Sequence, residues 1–145
     1  NHSKTIMNMK LEIDIKKGLG DITFGMPVEK VMDILGAADE VENIDNAIDE
    51  TTTVLRYTEL GMTIFCEGDE PCVTCIDIAN YECTLFGEEV FGLKEKEVVA
   101  LMVKNNYYEQ DVDNEAWGER RITFYEGNID FFFEHDTMTS ITFGA

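Results

Sequence analysis

The pattern of apolar and polar positions predicts both strands and helices. Apolar residues alternate with charged ones from Leu11 to Ile15, which is typical of a half-buried strand. Apolar residues then recur at helical spacing after Pro27, and Gly36 stands where a left-handed residue would end the helix. A second helical pattern surrounds Val98. Apolar runs bounded by turn residues predict three strands in the first half, at roughly residues 51–57, 62–67 and 73–78.

Two acidic stretches interrupt this pattern. Residues 37–50 contain no Lys or Arg, and we expect a surface loop or a short second helix there. A second acidic loop is expected from Asp111 to Glu115. Its alternating carboxylates resemble part of a calcium loop, but the glycine comes late, at Gly118, and the stretch before residue 50 has none.

The pattern occurs twice along the chain. Phe24-Gly25-Met26 and Phe91-Gly92-Leu93 open the two copies, and Gly61 matches Gly127 within them. The repetition predicts an α+β fold in which two tandem copies of a helix plus antiparallel-strand unit form one continuous sheet with helices on one face. We expect a disordered N-terminal segment at 1–10 and one domain at 11–145, with repeats at about 11–84 and 85–145.

Strand parity predicts which residues face the core. The predicted core face is large and apolar in both copies, and it carries Phe65, Ile76, Ile78, Ile129, Phe131, Ile141 and Phe143. The opposite face is a mixture of aromatic, Met and polar residues: Met62, Ile64, Cys75, Tyr125, Asp130, Phe132, Met138 and Ser140. An exposed face of this composition suits protein binding, although loops or a second copy of the chain could also cover it.

Charge narrows the classes of partner. The chain has 145 residues, of which 30 are acidic and 11 basic, for a net charge of -19. This balance disfavours nucleic acid and anionic membrane surfaces, and it favours a basic protein partner. Solubility alone, or an acid-biased proteome, would also account for the charge. The sequence has no apolar run long enough to span a membrane.

Four cysteines, Cys66, Cys72, Cys75 and Cys83, lie close together in the sequence. Cys72 and Cys75 have the spacing of half a zinc site, but the second half is missing, so we expect neither metal nor cofactor. A disulfide between Cys66 and Cys72 across their turn would be geometrically feasible, and reduced thiols are the alternative. We expect a cytoplasmic protein that is a monomer or a weak homodimer, with export open if a leader was removed upstream of Asn1.

The sequence lacks a recognisable catalytic set. Neither His2 nor His135 has a Ser or Cys partner at a familiar spacing, and no glycine-rich phosphate loop follows a strand, so we expect no enzyme. Acidic residues beside loops could pair with Lys and Arg of a partner, and nearby aromatic residues could anchor it or simply cap the core. The candidate partner-binding residues are Asp69, Glu70, Tyr107, Tyr108, Asp111, Asp113, Glu115, Trp117, Tyr125 and Phe132.

Two motifs carry a family resemblance. The first, G-x-I-x-F-G-M-x-x-E-x-V followed by L-G, runs from Gly20 to Gly36, and a Y-x-x-L-G strand pair runs from Tyr57 to Phe65. This pattern resembles the tandem repeats of the β-lactamase inhibitory protein-like fold and the opening of small immunity-type or uncharacterised bacterial proteins. The resemblance implies a continuous sheet with a concave binding surface, which some members dock onto enzymes to inhibit them.

These features together predict a non-catalytic protein-binding module. Its concrete form is an acidic inhibitor or immunity protein that neutralises a basic toxin or enzyme. The alternative is a structural or assembly module of the cell envelope that acts through self-association.

Overall fold

The structure is a computed structural model that describes residues 9–45, 51–115 and 118–145. Of the predicted disordered segment 1–10, it describes only Met9 and Lys10, and the candidate residue Trp117 also lies outside the described residues.

The larger of two sheets is antiparallel and has eight strands. They are β4 (Glu40–Asp45), β5 (Thr51–Tyr57), β6 (Met62–Glu67), β7 (Cys72–Ile78), β10 (Gln110–Asn114), β11 (Glu119–Phe124), β12 (Ile129–Glu134) and β13 (Thr137–Gly144). Their order across the sheet is β10-β11-β12-β13-β7-β6-β5-β4, with β7 and β13 at the centre and β4 and β10 at the edges.

The smaller sheet has five short strands: β1 (Glu12–Asp14), β2 (Gly18–Leu19), β3 (Ile22–Thr23), β8 (Thr84–Leu85) and β9 (Glu88–Glu89). Their order is β3-β2-β1-β8-β9, with β1 and β8 parallel. The expected α+β fold of tandem helix-plus-strand units sharing one continuous sheet is therefore wrong. The described residues form a mostly β structure with two separate sheets and two α-helices.

The two helices are α1 (Val28–Leu35) and α2 (Glu95–Lys104). Helix α1 ends at Gly36, whose φ of 83° lies in the left-handed region, as predicted. At the start of α2 the Glu97 carboxylate accepts a hydrogen bond of 2.9 Å from the backbone N–H of Lys94. Each helix buries one apolar stripe, which carries Val31 and Leu35 in α1 and Val98 and Met102 in α2.

One continuous core lies between the large sheet on one side and the helices and small sheet on the other. Its largest buried side chains are phenylalanines of the large sheet. Phe124 and Phe131 meet edge to face, with ring centroids 6.0 Å apart. Most of the predicted core residues are buried in this cluster: Ile76, Ile78, Ile129, Phe131, Ile141 and Phe143.

The predicted parity is wrong in strand β6. Met62 and Ile64 face the core, whereas Phe65 is half-buried on the other face. The left-handed residue that leads into the strand is Gly61 (φ 60°) for β6 and Asn128 (φ 48°) for β12. The repeat pattern instead matches Gly61 with Gly127, and this slip of one residue exchanges the two faces of a strand. Met138 is likewise predicted on the outer face but is buried in the core.

Both acidic stretches that were expected to be loops contain edge strands. Residues 40–45 form β4, which pairs in register with β5, and residues 110–114 form β10, which pairs with β11. An edge strand forms backbone hydrogen bonds with a single partner strand. That partner can hold a segment extended even when its own residues have little preference for strands. Residues 46–50 of the first stretch lie outside the described residues.

Stability should fall in alkaline solution because three buried acidic groups hold their protons more tightly when folded. Burial raises the pKa of Tyr57 to about 12, of Cys66 to about 11 and of Cys83 to about 12, from ordinary values of 10.0 and 9.0. The unfolded chain loses these protons first. The contribution of these three groups to the free energy of unfolding is therefore fully present below about pH 9, and it is lost as the pH rises towards 12. Urea unfolding at pH 8 and about pH 11 measures the effect, and an unchanged free energy of unfolding would contradict it.

Candidate binding surface on the large sheet

The face of the large sheet that points away from the core carries a polar row across all eight strands. Registers between neighbouring strands align one residue from each strand, in the order Asp111, Thr123, Asp130, Thr142, Asp77, Thr63, Arg56 and Glu40. Threonines alternate with carboxylates in its central part. This row places four carboxylates and one guanidinium on the outer face.

Hydroxyl groups hold the two central carboxylates of the row. Thr142 donates a hydrogen bond of 3.0 Å to Asp77, and Thr123 donates one to Asp130. Partial burial raises the pKa of Asp77, and the bond from Thr142 opposes that shift. Burial and the nearby charges of Asp77 and Asp130 also raise the pKa of the Cys75 thiol. Cys75 is therefore held protonated, and it is a poor nucleophile despite its place on this face.

At the β10 end, this face becomes a cluster of carboxylates and aromatic rings. We call it the acidic–aromatic patch. It is positioned by β10, β11, β12 and the 3-10 turn that follows β11. Its members are Asp111, Asp113, Glu115, Arg121, Tyr125 and Phe132.

Arg121 organises the carboxylates of the acidic–aromatic patch. Its Nη2 donates a hydrogen bond to Asp113 and lies 3.9 Å from Oε1 of Glu115. The bond to Asp113 raises the pKa of Arg121 and keeps it charged. Cross-strand pairing places Arg121 opposite Phe132, whose ring is half-buried on the same face. The patch contains three carboxylates and one guanidinium, so its formal net charge is about -2.

Two tyrosines in or next to the turn that follows β11 are exposed. Tyr125 is 59% exposed and donates a hydrogen bond of 3.1 Å to Asp111. That bond raises the pKa of Tyr125, so the phenol stays neutral. Tyr108 is 58% exposed, and its backbone N–H donates to Glu126 at 3.5 Å, close to the turn that holds Tyr125. Rings of this size in contact with water suit an interface anchor.

The remaining candidate residues lie elsewhere. Tyr107 is half-buried against the core, with its ring 6.2 Å from that of Phe86, so it contributes to packing. Asp69 and Glu70 are exposed in the β6–β7 hairpin. The strand registers place that hairpin beyond Cys72, roughly 15–20 Å along the strands from the polar row and on the side away from Asp113.

Sequence reasoning missed Arg121, Asp77 and the threonines of the polar row. A signal for them was present, because Arg121 and Thr123 alternate with the buried Ile122 and Phe124 in β11. The same alternation places Asp77 between the buried Ile76 and Ile78. Reading strand parity for charged residues as well as apolar ones would have found this face.

The cysteines do not form a site. All four are free; Cys66 points into the core, while Cys72 is paired across the hairpin with Glu67, whose side chain is exposed. The bulge in this hairpin therefore leaves Cys66 and Cys72 on different faces, contrary to the geometry that a disulfide would need. No group of three or more His, Cys, Asp or Glu side chains in the described part of the chain is arranged to hold a metal ion.

Comparison with family models gives no match, and neither does comparison with curated protein sequences. Among solved structures, one similar chain is an extracellular protein containing an SCP domain from Bacillus anthracis, with a TM-score of 0.48 and 12% identity. The match covers 83% of this chain and 43% of that one. Another is a cysteine-rich secretory protein from Staphylococcus aureus, with a TM-score of 0.43 and 12% identity over 93% of this chain and 50% of that one. This chain thus spans at most half the length of either protein.

Two expectations are corrected. The resemblance to β-lactamase inhibitory protein-like repeats and to immunity-type proteins is wrong, since the described residues form two separate sheets rather than tandem helix-plus-strand units that share one sheet. The expected cytoplasmic location is not retained; the two matched proteins are described as extracellular or secretory. Among the described residues, no helix has the length and apolar character needed to cross a membrane.

Proposed function

We propose that this chain is a non-catalytic protein-binding module that recognises a basic protein through the acidic–aromatic patch. The observation that carries the proposal is the patch itself. Asp111, Asp113 and Glu115 lie beside the exposed ring of Tyr125 and the half-buried ring of Phe132 on a sheet face that points away from the core. Aromatic anchors surrounded by charge are typical of interfaces with a small number of dominant residues.

The charge of the whole chain supports the same choice of partner. A net charge of -19 attracts basic proteins over a distance of about one Debye length and speeds their encounter. In the patch, Arg121 fixes the carboxylates before a partner arrives, which lowers the entropy lost on binding. Lys or Arg side chains of a partner would then meet preorganised acceptors.

The alternative of an assembly module that self-associates has less support. Both edges of the large sheet carry carboxylates, with Glu40 and Glu42 on β4 and Asp111 and Asp113 on β10. Like charges brought directly opposite each other weaken a strand pair.

Affinity capture from the source organism, followed by titration of the captured protein, tests the proposed function. We expect the variant Asp111→Asn/Asp113→Asn/Glu115→Gln to lower affinity about tenfold or more and to weaken its salt dependence. Tyr125→Ala should cost more than about 1 kcal/mol of binding free energy as a lost anchor.

The matched control is Asp69→Asn/Glu70→Gln, which also removes negative charge but on the distant hairpin. It should leave affinity within about twofold, since exposed charges away from an interface contribute little. Equal losses in both variants would contradict the proposal, because net charge rather than the patch would then explain binding. The proposal would also be contradicted if the variant of the acidic–aromatic patch captured the same proteins as the unmodified chain.

A further inference from the structure

Strand β4 is a long exposed edge. It is the last strand of the large sheet, and all six of its residues are exposed. It pairs with β5 along one side, and no other strand pairs with it among the described residues. Its other side therefore presents backbone N–H and C=O groups in the arrangement that another strand needs.

This edge lacks most of the features by which proteins protect such strands. Its register with β5 is continuous from Glu40 to Asp45, whereas β6–β7 and β12–β13 contain bulges. It carries neither Lys nor Pro. Two branched apolar side chains are also open to water, with Val41 49% exposed and Ile44 41% exposed. A flat edge with apolar side chains favours addition of a strand.

The charges on β4 select the kind of strand that can add. Glu40, Glu42 and Asp45 are exposed carboxylates, and Arg56 of β5 lies 3.4 Å from Glu40 and 3.0 Å from Glu42. The edge therefore keeps a net negative charge. A second copy of β4 would bring carboxylates against carboxylates, whereas Lys or Arg at alternate positions would meet Glu40 and Glu42 favourably.

We propose that the β4 edge binds an extended, basic segment of a partner protein as an added strand, with Lys or Arg alternating with apolar residues. Backbone hydrogen bonds supply affinity, Glu40 and Glu42 select basic side chains on one face of the sheet, and Val41 contacts the apolar side chains on the other. This surface is separate from the acidic–aromatic patch. The two lie at opposite edges of an eight-stranded sheet, about 30 Å apart at ordinary strand spacing. Either proposal can therefore fail alone.

The probe is a short synthetic peptide of alternating lysine and valine, added to the full chain. Amide hydrogen exchange followed by NMR should show new protection in residues 40–45, at the amides that face the open edge. A peptide of alternating glutamate and valine should neither bind nor protect. Fluorescence anisotropy of the labelled lysine peptide then gives its affinity.

Two variants and a control sharpen the test. Glu40→Gln/Glu42→Gln should weaken binding of the lysine peptide about five- to tenfold, as expected for two exposed charge pairs. Val41→Thr keeps a β-branched side chain but should also weaken binding, since it removes apolar contact on the face opposite Glu40 and Glu42. The control Glu88→Gln/Glu89→Gln removes the same number of charges from β9 of the small sheet, outside both proposed surfaces, and should leave the affinity unchanged.

Three results would overturn the proposal. New protection confined to β10 or to the acidic–aromatic patch would place the peptide elsewhere. Equal binding of the lysine and glutamate peptides would remove the charge selection. A homodimer whose formation protects residues 40–45 without any peptide would make a second copy the occupant.

Discussion

Replacing Phe131 with alanine is expected to lower the free energy of unfolding by about 3–5 kcal/mol, the usual cost of removing a buried phenylalanine ring. Phe131 is fully buried in the middle of β12, between its cross-strand neighbours Ile122 and Ile141. Its ring also meets Phe124 edge to face at 6.0 Å. The surrounding strands are tied to one another by backbone bonds, so they cannot close the cavity that the substitution leaves.

A loss of that size is a large fraction of the stability of an ordinary domain, which is about 5–15 kcal/mol. The melting temperature should fall by about 10 °C or more for a chain of this length. Urea denaturation followed by circular dichroism measures the difference, and an unchanged m-value would show that the unfolded state is unaffected.

The neighbouring residue supplies the control. Phe132 has the same side chain in the same strand but lies half-buried on the outer face, opposite Arg121. Phe132→Ala should cost only about 1 kcal/mol, in line with a partly exposed ring. If both substitutions cost the same, the assignment of the two faces of β12 is wrong. Phe132→Ala should instead weaken partner binding, which Phe131→Ala affects only through stability.

Replacing Gly61 with alanine should destabilise the protein by about 2–4 kcal/mol because the methyl group has no room. Gly61 has a φ of 60°, and a Cβ there would lie 2.1 Å from the backbone oxygen of Ala79. The two segments are held together by a hydrogen bond of 2.8 Å from the N–H of Ala79 to the carbonyl oxygen of Gly61. Relief of the clash would therefore require that the entry of β6 separate from the end of β7.

Gly87→Ala is the control that separates the cost of the steric clash from the cost of a left-handed backbone. The φ of Gly87 is 78°, also left-handed, but a Cβ there meets no atom within 4 Å. Gly87→Ala should cost only about 1 kcal/mol, the ordinary penalty for a left-handed alanine. Thermal unfolding of both variants compares them directly. Equal losses would contradict the prediction, since the contact with Ala79 would then contribute nothing.

The helices and most strands could be predicted from local pattern. Helix α1 has a proline before it, apolar residues at helical spacing and a glycine after it, and each signal acts within one turn. The predicted strands at 51–57 and 62–67 coincide with β5 and β6, because short runs rich in β-branched and aromatic residues and bounded by turn residues are typical of strands. The candidate site was predicted only in part. Asp111, Asp113, Glu115, Tyr125 and Phe132 do come together, but Asp69, Glu70 and Tyr107 do not join them.

The failures have a common physical origin in pairing between distant segments. Strands β4 and β10 are acidic and have little intrinsic preference for extended structure, so their local sequence reads as loop. Their conformation depends on β5 and β11, whose backbone groups they satisfy. The side of the sheet on which Phe65 lies likewise depends on whether Asn128 or Gly127 corresponds to Gly61. Only the register of the strands decides between these two alignments.

By itself the sequence determined the positions of both helices, the central strands, the strongly negative charge and the burial of most residues on the predicted core face, because these follow from side chains a few positions apart. Tertiary structure decided the division into two sheets, the edge strands β4 and β10, and the parity of β6. It also decided that Arg121 gathers Asp113 and Glu115 beside Phe132. These features arise from backbone pairing between segments far apart in the chain, and no local pattern of side chains encodes the register of that pairing.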